Sequence, residues 1–166
     1  MTLLVRKINK AKWHLDTFQD GDPVNADAIT NCLKTSGNTL SFWAIQSEDL
    51  IEEAVLAIAA SNDNLDTFDI VVLPISFFEE NNFDIEHTPG STKCQDLEDT
   101  HRDLAKLNVR HLAVLSNKIA GLVSSANARR YTLGSLKTII KDAIEKGRID
   151  PEVLPEGIKR KVLPTQ

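Results

Sequence analysis

The sequence predicts an α/β fold, with mixed α+β as its looser form. The expected architecture is a small three- to four-stranded sheet flanked by helices and closed by a C-terminal helical hairpin. Three observations carry that expectation. Residues 39–74 read as apolar strand, amphipathic helix, apolar strand. Residues 109–124 repeat apolar side chains at helical spacing. Residues 132–163 hold the start and stop signals of two successive helices.

Taken in order, Leu3, Leu4, Val5 and Ile8 predict a strand over 2–8. Asp20-Gly21-Asp22-Pro23 marks a turn within 16–23. Asn25 can cap a helix over 26–34, with Ile29 and Leu33 one turn apart, and Ser36-Gly37-Asn38 breaks it. Leu40, Phe42, Trp43 and Ile45 predict a strand over 39–46. Ser47 is a suitable N-cap, and Glu48 and Asp49 suit the positive end of a helix dipole. That helix extends to about residue 60 on a stripe of Leu50, Ile51, Ala54, Val55, Ile58 and Ala59. Residues 68–74 are nearly all apolar, as in a strand covered on both faces. The unit 39–74 has the length of a right-handed parallel crossover. Beyond it, 83–87 reads as an edge strand, and 96–107 fits a helix or a strand. Residues 109–124 form a helix with Val109, Leu112, Ile119 and Val123 inward. Thr132 caps a helix over 133–146, Gly147 ends it, and Asp150-Pro151 opens a last short one. The chain reads as one domain over 1–166, with 128–166 a candidate helical cap.

The 166 residues suffice for a sizeable core, which must rest on aliphatic side chains because aromatics are 5% of the chain. No apolar run reaches the roughly 20 residues that span a bilayer, and Arg6 and Lys7 stand behind the first apolar run instead of ahead of it. No membrane partner is expected, and the expected location is cytoplasmic. Cys32 and Cys94 are too few for a disulfide framework and read as reduced thiols. Charge is unevenly placed. Residues 1–13 carry four basic and no acidic groups, residues 14–105 carry three basic and 19 acidic, and residues 106–166 carry 12 basic and 5 acidic. Such blocks either neutralise each other across the folded surface or present separate faces to partners.

Several motifs invite a chemical reading. His101-Arg102-Asp103-Leu104 with Asn108 fits the protein-kinase catalytic loop. The glycine-rich flap, strand lysine and D-F-G that loop requires are absent from the sequence, and a kinase is excluded. His87, Cys94, His101 and His111 lack the short ligand spacings of structural zinc sites, and no metal site is expected. No cofactor is expected either, since the chain has no phosphate-binding glycine motif. Asp96, Glu98, Asp99 and Asp103 form an acidic cluster. With His101, its aspartates are the candidate catalytic residues of a small metal-dependent hydrolase using 96–103, and a solvated surface is the plainer reading. Arg129, Arg130, Lys137 and Lys141 are candidates for nucleic-acid or partner binding, with little aromatic interleaving for base stacking. Trp13, beside Lys10, Lys12 and His14, is a candidate partner anchor or a core residue.

These readings lead to an expectation of a non-catalytic accessory or protein-interaction component of a bacterial system, antitoxin-like or an immunity or defence subunit, with a protein as its partner. The alternatives are a nucleic-acid-binding protein acting through the basic C-terminal helices and the small hydrolase.

Overall fold

Leu3, Leu4 and Val5 are apolar at successive positions, so a strand through them has to be covered on both faces. A computed structural model, which describes residues 1–13, 18–19 and 21–163, places that strand at the centre of a sheet. β1 (Leu3–Ile8) lies between β2 (Leu40–Ile45) and β3 (Phe68–Pro74), antiparallel to both. β5 (His101–Ala105) pairs with β2, and β4 (Asp84–His87) closes that edge. β6 (Arg129–Tyr131) closes the other edge against β3. The order is β4-β5-β2-β1-β3-β6, and every neighbouring pair is antiparallel.

Six helices cover the two faces. Leu3, Val5, Trp43, Ile45, Phe68 and Ile70 point to one core, shared with α2 (Ile51–Ala60), α5 (Leu133–Glu145) and α6 (Glu156–Val162). Leu4, Ile8, Phe42, Ala44, Val71, Leu73 and Leu104 point to the other, shared with α1 (Ala26–Cys32), α3 (Ile75–Glu80) and α4 (Val109–Ser124). Three helices start on side-chain caps: Asn25 accepts from Asp27 N, Asn108 from His111 N and Thr132 from Ser135 N.

The structure corrects the expected sheet. It has six strands, not three or four: β4 is the edge strand expected at 83–87, but β5 and β6 are short and carry charged side chains that mask a strand pattern. β2 and β3 run parallel to one another with α2 between them, but they are not neighbours, since β1 is inserted between them. The segment expected as helix or strand divides: Gln95–Thr100 is a 3-10 turn, and β5 follows it. Residues 129–131, at the start of the candidate helical cap, form β6. Val109 was expected inward but is 84% exposed, and Leu115, Ile119, Ala120 and Val123 form the inner face of α4. A 3-10 turn, Glu48–Leu50, follows Ser47 before α2 begins, and Leu50 is exposed. The turn read at 16–23 lies partly outside the described residues. No helix among the described residues is long and apolar enough to cross a membrane.

Candidate functional site

The pairing of β1 with β3 sets Ile8 opposite Asp69, and β6 sets Arg130 opposite the same aspartate. Arg6 lies two residues before Ile8, so side-chain alternation brings Arg6, Asp69 and Arg130 to the α1 face at one end of the sheet. There they line a cleft of about 420 Å³ with Lys7, Asn9, Asn31, Cys32 and Thr67. The Arg6 guanidinium makes three hydrogen bonds, all to neutral carbonyls: Nε and Nη2 donate to Cys32 O at 2.9 and 2.7 Å, and Nη1 to Ser41 O at 2.6 Å. Burial pushes its pKa down to about 10. Burial also holds Lys7 below the ordinary lysine range, against the pull of Asp66. Asp69 is buried; its Oδ2 accepts from Lys10 N at 3.1 Å, while its Oδ1 has no hydrogen-bond donor among the described residues. Arg130 Nε stands 3.5 Å from that oxygen, close enough for an ion pair but too loose for a hydrogen bond.

The residues singled out in the sequence fall elsewhere. Asp96 accepts from Cys94 Sγ at 2.9 Å and from Arg148, which also grips Glu53 on α2. Burial works to raise the Asp96 pKa, but the bonds from Cys94 and Arg148 outweigh it and hold the carboxyl below its usual range. Asp99 is exposed beside His87. His101 is buried edge-on against the Trp43 ring, and its Nδ1 meets Thr88. Asp103 accepts from Ser41 Oγ at 2.9 Å and from Thr88 Oγ1 at 2.8 Å. His101 and Asp103 therefore meet through Thr88, while Asp96 is bound into the Arg148 clamp and Asp99 stands at the surface. Gly90 packs into the same corner: a Cβ there would come within 2.5 Å of the Trp43 ring and 2.8 Å of His101 Cβ. His111 lies against the Phe83 ring on α4. Among the described residues, no three His, Cys, Asp or Glu side chains gather to hold a metal ion.

The basic candidates are divided by the sheet. Arg129 and Arg130 are consecutive on β6 and point to opposite faces; Arg129 pairs with Glu48 and Arg130 faces Asp69. Lys137 and Lys141 are on α5, on the Arg129 side. Trp13 has no exposed surface and packs into the α1–α3–α4 core, so it presents nothing to a partner. The two thiols are free and sit in opposite cores, where they cannot bridge one another. Arg6 and Asp69 were missed in the sequence. The available signals were Asp69, the one charged residue of the apolar β3 run, and Arg6, which follows the apolar start of β1.

Fold and sites together define an open-sheet α/β protein with helices on both faces and a charged cleft at one sheet end. Compared with protein-family models, curated proteins and solved structures, the chain matches none.

Proposed function

We propose that the chain is a non-catalytic interaction component that takes up a basic, extended partner segment along β4. The observation that carries this reading is the acidic sheet edge. β4 has a neighbour on one side only, and Glu79, Glu80 and Glu86 in and beside it are exposed, with no ion-pair partner among the described residues. Carboxylates of one sign repel a second copy of the same edge and attract a lysine- or arginine-rich strand. Strand addition supplies main-chain hydrogen bonds, and the charges select the partner. The dispersal of the acidic candidates also favours binding over catalysis: Asp96 is taken up by Arg148, His101 and Asp103 by Thr88, and Asp99 stands at the surface.

The test is affinity capture with tagged protein, at about 0.1 M salt and again at about 1 M, where surface charge is screened. The expected result is one stoichiometric partner, lost at high salt and lost in the Glu79→Lys/Glu80→Lys/Glu86→Lys variant. Equal recovery by the variant, or recovery of the protein alone, overturns the reading.

A further inference from the structure

The cleft between α1 and the β1–β3–β6 end of the sheet is a second site, separated from β4 by β5 and β2 in the sheet order. Its charges do not balance. Arg6 and Arg130 point into it against a single carboxylate, Asp69, while the Lys7 ammonium lies over the Phe68 ring on the other face. Arg6 is half-buried, and its bonds go only to carbonyls. A guanidinium carries five N–H groups, so two of those on Arg6 have no acceptor among the described residues. Buried charges are ordinarily paired, and a cation left this way favours an incoming anion. Arg130 is poised to help. Its side chain is 65% exposed, and Asp69 faces only its Nε, which leaves the outer edge of the fork for a planar or tetrahedral oxyanion. Asn9, Asn31 and Thr67 add amide and hydroxyl groups that suit the hydroxyls of a ligand. A volume of about 420 Å³ is the size of a small-molecule site.

We propose that this cleft binds a small hydroxylated metabolite carrying one oxyanionic group, a carboxylate or a phosphate. Arg6 and Arg130 hold the oxyanion, and Asn9, Asn31 and Thr67 hold the hydroxyls. Asp69 is a positioning residue: its ion pair with Nε of Arg130 draws the guanidinium over the cleft. The inference is independent of the β4 edge, and either can fail without the other.

Titration of the full chain with inorganic phosphate, glycerate and glycerol 3-phosphate tests it, read by calorimetry and by amide chemical shifts. At ligand concentrations up to about 10 mM, enough to populate a millimolar site, the expected result is binding of glycerate or glycerol 3-phosphate more tightly than phosphate alone. Which of the two wins distinguishes a carboxylate ligand from a phosphate one. Arg130→Gln, at a side chain that reaches solvent, is expected to weaken binding about tenfold, the worth of one charged hydrogen bond. Asp69→Asn keeps an acceptor for Lys10 N and is expected to weaken binding too. No binding by any probe, or binding unchanged in Arg130→Gln, overturns the site. Equal affinity for phosphate and both metabolites overturns the hydroxylated ligand, and tighter binding by Asp69→Asn overturns the positioning role.

Discussion

Two side chains show how individual residues set the behaviour of this protein. Arg148 follows the glycine turn after α5 and bonds Glu53 of α2 and Asp96 of the loop before β5. Its side chain is 25% exposed, so these ion pairs are partly shielded from water. Arg148→Met is expected to lower stability by about 1–3 kcal/mol, because two carboxylates lose a charged donor. A reduced midpoint in urea unfolding, with an unchanged slope, checks this. Cys94 lies beneath the same clamp. Burial, together with its bond to Asp96, pushes its thiol pKa up to about 12. An unfolded cysteine ionises near about 8.5. The folded thiol therefore contributes fully below that pH, and the contribution is lost as pH rises towards about 12. The loss is about 1.4 kcal/mol per pH unit across that window. Wild-type stability is expected to fall by about 2 kcal/mol more than that of Cys94→Ala between pH 8 and 10. Parallel pH curves for the two proteins would refute it.

At the scale of elements, caps and turns do much of the specifying. Thr132 Oγ1 accepts from Ser135 N at the start of α5, and Gly147 ends that helix with φ +71°. Thr132→Ala is expected to cost about 1 kcal/mol, and Gly147→Ala about 1–2 kcal/mol; thermal unfolding of each variant measures both. Such punctuation made α1 and α5 legible in the sequence, since capping chemistry is local, and an apolar stripe made α4 legible. β1, β2 and β3 were legible as well, because strands covered on both faces are apolar throughout. The edge strand β4 was read at 83–87, but β5 and the opposite edge, β6, were not legible. β6 is Arg129-Arg130-Tyr131, and it pairs only because β3 lies beside it, 61 residues away from Arg130 at Asp69. Leu104 in β5 and Leu107 just beyond it stand at positions that a helix would also favour, and only the pairing of β5 with β2 decides. The cleft was illegible for the same reason. Arg6, Asn31, Asp69 and Arg130 come from four separate elements, and no window of sequence contains their encounter.

For the molecule as a whole, the uneven charge is largely resolved inside the fold. Arg129, Arg130, Arg148 and Lys161 from the basic C-terminal block pair with Glu48, Asp69, Glu53, Asp96 and Asp66 from the acidic block. The last third of the chain is thereby drawn onto the rest. Leu136, Ile140, Ala143, Ile149, Leu154, Ile158 and Val162 also complete one of the two cores. Residues 132–163 thus share a core with the sheet. A chain truncated after Tyr131 is expected to lose cooperative unfolding and to bind a dye for exposed apolar surface; a sharp unfolding transition in the truncated chain would show the opposite. The insertion of β1 between β2 and β3 has a temporal consequence as well. During synthesis β1 is made first, but one of its ladders waits for residues 40–45 and the other for residues 68–74. The strand that ends as the best protected in the sheet thus begins as an open, apolar ribbon with both hydrogen-bonding edges vacant. Early growth of the chain is therefore the stage at which this protein most needs shielding from its neighbours.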